Sequence, residues 1–244
     1  MAGHNKWSKV KRLKGAIDAK RGRIFAKLSR EITVAAKLGG GNVDLNPRLR
    51  MALIKCRDAN MPSDNIERAI KKGTGGGADT NFEELTYEVY GPNGVAILVE
   101  ITTDNRNRTA AEMRRLLTKN SAAIATSGSV SRLFHRKGQI IVSREIADED
   151  EIMELALEAG AEDFKSDSEG FEILTDPADF ESVHKVIDSK GIKCEAAHVT
   201  SLPTVTVPLS ASDVISSVSQ LIEVLEDHDD VRDIHTNAEI SEDV

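Results

Sequence analysis

The stretch Gln139–Thr200, QIIVSREIADEDEIMELALEAGAEDFKSDSEGFEILTDPADFESVHKVIDSKGIKCEAAHVT, switches repeatedly between a two-residue and a 3.6-residue apolar period. Ile140–Ser143 reads as a strand, Glu151–Ala159 as a helix, Glu162–Lys165 and Phe171–Thr175 as two strands, Ala178–Ser189 as a second helix and Lys193–Thr200 as a last strand. That order is βαββαβ, a ferredoxin-like unit that is complete by itself.

Downstream, Thr204–Val207 and Val231–His235 read as strands on either side of a helix opened by Ser210-Ala211-Ser212-Asp213. This helix carries Val214, Ile215, Val218, Leu221, Ile222 and Leu225 at helical spacing and needs a sheet to cover them. Two strands make no stable sheet alone, so both are expected to join the sheet begun upstream. There, Leu85–Tyr90 and Val95–Ile101 flank the hairpin signal Gly91-Pro92-Asn93-Gly94, Thr109-Ala110-Ala111-Glu112 reads as a capping box before Met113, Leu116 and Leu117, and Ser129–Phe134 reads as a further strand.

The beginning of the chain is helical and basic. Taking about 100° per residue, Lys20, Arg23, Lys27, Arg30 and Lys37 share one arc of a helix, while Ile24, Phe25, Leu28, Ile32, Ala35 and Ala36 share another. Gly39-Gly40-Gly41 stops that helix, Asn46-Pro47 opens the next, and Asp64-Asn65-Ile66-Glu67 caps a short third. Gly73 to Gly77 reads as a linker and lacks the GxxxxGK[ST] pattern of a phosphate loop. The fold class is therefore α+β with three domains: a basic arm and helical domain at 1–78, a discontinuous α/β sandwich at 79–136 and 203–244, and the ferredoxin-like α/β sandwich at 137–202 inserted into it.

Charge is divided as sharply as the fold. Met1–Arg144 holds 27 Lys+Arg against 13 Asp+Glu, whereas Glu145–Val244 holds 5 against 27. A cationic end attracts phosphate and an acidic remainder repels it, which points to a nucleic-acid partner; the acidic half offers a surface to basic proteins. The arm His4, Lys6, Trp7, Lys9, Lys11, Arg12 and Lys14 has no apolar period. Its Trp either stacks on an unpaired base, which would favour irregular RNA over a smooth duplex, or folds back onto the helical domain. With Lys20, Arg21, Arg23, Lys27, Arg30 and Lys37 on the helix, and Arg106 and Arg108 in Asp104-Asn105-Arg106-Asn107-Arg108-Thr109, these are the candidate nucleic-acid contacts. The last block lies between a strand end and a helix start, where it faces a phosphate or simply caps a turn.

Other chemistries lack their residues. Cys56 and Cys194 form no CxxC pair, His4, His135, His184 and His198 show no metal-ligand spacing, and no Ser/His/Asp set or GxSxG elbow can be assembled. His228, Asp229, Asp230, Asp233 and His235 resemble a hard-metal cluster, but a helix end followed by a strand scatters them, and they read as a solvated acidic loop. No cofactor, metal or catalytic activity is expected. No apolar run approaches the ~18 residues of a membrane span, and the amino end lacks the apolar core of a secretion signal, so a cytoplasmic protein is expected.

Met1-Ala2-Gly3-His4-Asn5-Lys6-Trp7, Asp18-Ala19-Lys20-Arg21-Gly22-Arg23-Ile24-Phe25, Ala35 to Gly41, Asn46 to Arg50, Tyr90 to Gly94, Asp104 to Thr109, Gly128-Ser129-Val130 and Leu155 to Asp163 together resemble the signature blocks of the YebC/PmpR family, which includes the mitochondrial translational activator of cytochrome c oxidase subunit I. The resemblance implies a cytoplasmic, non-enzymatic protein of three domains. Bacterial members are described both as DNA-binding transcriptional regulators and as ribosome-associated factors that assist translation of difficult stretches such as proline runs. The Trp-bearing arm and a basic helix built of Lys and Arg, without base-reading side chains, favour the ribosomal RNA reading, with duplex DNA as the alternative. Two departures stand out. Asn5 replaces the more usual Ser, and Ser121 to Ala125 replaces a glycine-rich segment, which removes backbone freedom at a turn.

Overall fold

The computed structural model describes residues 22–75 and 82–240. The chain divides into two compact units, Phe134–Leu202 being the described part of one, and the segments before and after it forming the other.

In the first unit, β4 (Phe134–Ser143), α5 (Glu149–Glu158), β5 (Asp163–Ser166), β6 (Gly170–Thr175), α6 (Phe180–Ser189) and β7 (Ala196–Pro203) follow one another as the sequence predicts. The sheet order β5-β6-β4-β7 is the ferredoxin-like arrangement. Ile140 pairs with Ile173 and Val142 with Phe171, so these residues share one face. Phe180, Val183 and Ile187 at helical spacing and Ile152 and Ala156 on α5 are all buried. Gly138 has no room for a side chain, because a Cβ there would meet Thr175 and Phe180. Asp148 caps α5 by accepting from the Asp150 and Glu151 N–H groups, which starts the helix at Glu149, two residues before the expected Glu151.

The second unit contains the helical domain and the other α/β sandwich. Helix α1 covers 22–39 within the described residues, followed by α2 (Pro47–Asp58) and α3 (Ser63–Thr74). Leu28, Ile32, Ala35, Leu49, Ala52, Cys56 and Ala69 form their common core. Asn46 joins α1 to α2: its Oδ1 accepts from Leu49 N–H at 3.0 Å, and its Nδ2 donates to the carbonyls of Ala35 and Gly40 at 2.9 and 2.8 Å. Helix α3 departs from expectation at both ends. It starts at Ser63 behind Pro62, with no side-chain cap from Asp64, and it continues through Gly73.

Gly73 is therefore no linker residue. A Cβ at this position would sit 2.6 Å from the Thr33 carbonyl and 2.7 Å from Ala36 Cβ, so the missing side chain lets α3 lie against α1. Gly73→Ala is expected to cost about 1–3 kcal/mol through overpacking, even though alanine is the better helix former, and thermal unfolding measures it.

The sandwich is built on β1 (Glu83–Tyr90), β2 (Ala96–Thr103), β3 (Ala123–Ile124) and β9 (Val231–Thr236), in the order β3-β1-β2-β9. Apolar residues dominate β2, which pairs antiparallel with both β1 and β9. Helices α4 (Arg106–Lys119) and α7 (Ser212–Glu226) contribute Met113, Leu117, Val218, Leu221 and Leu225 to the core with Ile97, Val99 and Ile101. Thus β9 completes the upstream sheet across the inserted unit, as expected. The other late strand does not: β8 (Val207–Leu209) pairs in parallel with β10 (Ala238–Ile240) in a separate two-stranded sheet.

Two more local expectations are corrected. Of the expected strand Ser129–Phe134 only Phe134 is extended, as the first residue of β4, since the loop around Gly128 (φ 83°) is held by the Glu88 carboxylate, which accepts from the N–H groups of Gly128, Val130 and Ser131 at 2.6, 2.7 and 2.8 Å. The edge strand is instead Ala123–Ile124, reached by a turn in which Ser121 takes φ 54° without a glycine. No helix among the described residues is long and apolar enough to cross a membrane.

Candidate nucleic-acid interface

Helix α1 separates its faces as its sequence requires. Leu28, Ile32 and Ala35 are buried, while Arg23, Lys27 and Arg30 lie on the other side. Those cations meet the end of α7 and the turn into β9. Lys27 Nζ donates to the Glu226 carbonyl at 2.6 Å, Arg30 Nη1 donates to the carbonyls of Asp229 and Thr102 at 3.0 Å, and Arg23 Nη1 lies 3.0 Å from Asp227 Oδ2. The last turn of any helix has carbonyls without intrahelical partners and a partial negative charge; α1 supplies donors and positive charge to both.

Asp230 is the centre of this junction. Its Oδ1 accepts from Arg30 Nη1 at 2.9 Å, and its Oδ2 accepts from Thr109 Oγ1 at 2.7 Å, Arg108 Nη2 at 2.9 Å and Thr103 Oγ1 at 3.2 Å. Only 3% of Asp230 is exposed. Burial would raise its carboxyl, but hydrogen bonds from Thr109 and Arg108 and the charges of Arg108 and Arg30 prevail and hold it below the ordinary aspartate value. The solvated-loop reading of this segment is therefore wrong for Asp230. It also fails for His235, buried on β9 beside Glu100.

The local sequence around α4 explains how this is possible. Asn105, rather than Thr109, is the N-cap, with its side chain accepting from Arg108 N–H at 3.1 Å. Helix α4 thus starts at Arg106, one turn earlier than the capping-box pattern suggests, and Thr109 becomes an interior residue whose hydroxyl faces Asp230. Arg108 divides its guanidinium between Asp230 and Asp104.

Burial lowers Lys27 from the ordinary lysine value to about 8, against the raising effect of Glu226, Asp229 and Asp227. A folded value below the unfolded one means that the unfolded chain binds more protons between pH 8 and 10.5. Stability contributed by this residue therefore rises with pH across that window. Removing the titration in Lys27→Met is expected to flatten this part of the curve, as chemical denaturation at pH 8 and 10 measures.

Glu112, His228 and Asp230 place one possible metal-binding atom each within 4.8 Å of one another. The donor set does not suit a cation. Asp230 already faces two guanidinium groups, and His228 Nδ1 accepts the Asp230 N–H at 3.1 Å. The ring proton consequently lies on Nε2, which donates to Glu112 Oε2 at 3.1 Å.

The remaining predicted contacts fall elsewhere. Lys37 is exposed near the end of α1, and Arg106 is exposed at the first position of α4 with no ion pair to a described residue. His4, Lys6, Trp7, Lys9, Lys11, Arg12, Lys14, Lys20 and Arg21 lie outside the described residues. Sequence reading passed over Arg114, Arg115 and Lys119, which are exposed on α4 and form no ion pair among the described residues. Their signal was available, because Met113 and Leu117 fix the inner face of α4 and leave these three positions outside it. Arg115 and Lys119, together with Arg23, Gln220 and Asp229, line a cleft of about 820 Å³ between α1, α4, α7 and the start of β9.

The profile of the TACO1/YebC N-terminal domain matches residues 5–76, and that of the TACO1/YebC second and third domain matches residues 82–238. The chain belongs to the TACO1/YebC family. Among TACO1/YebC relatives, a protein of Desulfatibacillum aliphaticivorans is 49% identical over 243 residues, covering 100% of this chain and 98% of its own. One of Treponema denticola is 50% identical over 242 residues, covering 99% and 98%. Both are named "Probable transcriptional regulatory protein". The crystal structure of a conserved hypothetical protein from Aquifex aeolicus superposes with a TM-score of 0.82 at 45% identity, covering 93% of this chain and 94% of that one. The three-domain α+β architecture is thus that of the TACO1/YebC family.

Proposed function

We propose that this protein is a cytoplasmic, non-enzymatic RNA-binding regulator of gene expression that acts on the ribosome as a translation factor. The observation that carries the reading is how the cations are distributed. Lys27 and Arg30 are engaged by the α7–β9 turn, so α1 is poorly placed to enter a major groove as a recognition helix. That leaves the arm His4 to Lys14, with Lys20 and Arg21, as the dense array of positive charge, joined by Arg106 and by the exposed α4 cations. An arm of Lys and Arg around one Trp suits an irregular, partly unpaired RNA. The acidic ferredoxin-like unit, with 7 Lys+Arg against 17 Asp+Glu between Phe134 and Leu202, repels phosphate and suits basic proteins.

The names of the relatives favour a second reading, a transcriptional regulator on duplex DNA. Sedimentation of lysate through sucrose, with sequencing of RNA crosslinked to the protein, separates the two. The expected result is co-sedimentation with ribosomal particles and crosslinks to rRNA. Absence from those fractions together with a defined promoter footprint of the pure protein would establish the DNA reading instead.

A further inference from the structure

The cleft between α1, α4 and α7 has two kinds of wall. Arg115 and Lys119, four residues apart and hence on one side of α4, are exposed and have no ion pair or hydrogen bond to a described residue. The turn from α7 into β9 contributes Asp229 to the same lining. Its carbonyl is taken by Arg30, but its exposed carboxylate accepts no hydrogen bond among the described residues.

Other charged groups in the lining are already matched. Arg30 and Arg108 are held by Asp230, and Glu112 by His228. The cleft therefore offers a ligand two cations and one carboxylate whose side chains make no hydrogen bond among the described residues, together with the apolar side chains of Leu116 and Val224.

A ligand that satisfies all of these needs anionic oxygens, a flat apolar body and N–H donors. A nucleotide has this layout, and about 820 Å³ lies within the usual size of a small-ligand site. The carboxylate selects among bases. Guanine presents N1–H and the N2 amino group side by side, so one carboxylate accepts both; uracil presents a single N–H flanked by two carbonyl oxygens that a carboxylate repels. In a duplex this edge is already paired, whereas in a single strand it is open.

We infer that this cleft receives one unpaired guanine nucleotide of an RNA strand, with its phosphate on Arg115 and Lys119 and its Watson–Crick edge on Asp229. The inference rests on the RNA-binding reading above and adds a base preference that the arm alone would not supply, because cations and a stacking Trp act on any sequence.

The test uses the full-length protein and two fluorescent ten-nucleotide RNAs, one all uridine and one with a single central guanine, read by anisotropy. The guanine strand is expected to bind about tenfold more tightly, the usual scale for one well-formed base contact. Asp229→Ala should bring the two strands to within twofold of each other. Arg115→Ala with Lys119→Ala should weaken the guanine strand at least fivefold, with the melting temperature unchanged because neither side chain has a partner among the described residues. Equal binding of both strands by the native protein, or a guanine preference that survives Asp229→Ala, overturns the inference while leaving RNA binding through the arm intact. Guanosine monophosphate binding more tightly than the guanine strand would also overturn it, by giving the cleft to a free nucleotide. Failure of both strands to bind at all would instead sink the RNA-binding reading itself.

Discussion

Asp230→Ala is expected to lower the stability of the unit that contains it by about 3 kcal/mol, which for a domain pair of this size shifts the melting temperature by roughly 6–12 °C. The substitution removes one carboxylate and strips four donors of a shared acceptor. The loss should stay at the lower end of the range for broken buried ion pairs, because each stranded donor has somewhere to turn. Arg30 keeps the carbonyls of Thr102 and Asp229 and is 28% exposed; Arg108 keeps Asp104 and is 44% exposed; the hydroxyls of Thr103 and Thr109, 2.8 Å apart, can bond each other. The effect should also depend on pH with a defined sign. A carboxyl depressed in the folded state stabilises fully above its unfolded value, and this contribution is lost as pH falls through the folded one. Native protein and variant are therefore expected to differ most near neutrality and to converge in strong acid, as thermal melts at pH 7 and pH 3 would measure. A difference below 1 kcal/mol at pH 7 would mean that the junction between α1 and the sandwich is open in solution.

The largest effect on binding is expected from the arm. Changing Lys9, Lys11, Arg12 and Lys14 together to Ala removes four cations, and if each neutralises one phosphate of a single strand, the slope of log affinity against log salt should fall by about 2.8. At moderate salt this corresponds to a loss of order 10²-fold or more in affinity for RNA, with little change in melting temperature. Anisotropy titrations at several salt concentrations, together with a thermal melt, check both halves of the prediction. An unchanged slope would remove the arm from the interface, and a large fall in melting temperature would assign it a structural role.

These two cases differ in how visible they were in the sequence. The basic arm is a local excess of charge that counting finds. Asp230 is invisible to counting, because Arg30 is 200 positions away and Thr109 and Arg108 are more than a hundred away, and because the surrounding acids look like a run that belongs in water. The same limit explains α1. Its two faces follow from spacing, but nothing local says that Lys27 and Arg30 cover the end of a helix near the far end of the chain.

Within elements, regular periodicity was readable and short irregular pieces were not. The ferredoxin-like order follows from alternating periods bounded by turn residues, and the return of β9 to the first sheet follows from the need to cover α7. The Thr109-x-x-Glu112 pattern misled because Asn105 sits four residues earlier and caps better with its side chain on Arg108 N–H. Ala123–Ile124 is too short to show a period, and the Gly128 loop is shaped by a carboxylate forty residues upstream.

The place where the ferredoxin-like unit joins its host has a topological consequence. Thr204 N–H donates to the Leu133 carbonyl at 2.8 Å, so the chain leaves and re-enters the host at adjacent backbone atoms. The host's two ends are held together by the host itself, and hosting the excursion imposes almost no ring-closure entropy on it. The junction thus behaves as a socket: a change of length inside the passenger alters the spacing of its own elements and leaves the host's two ends where they are.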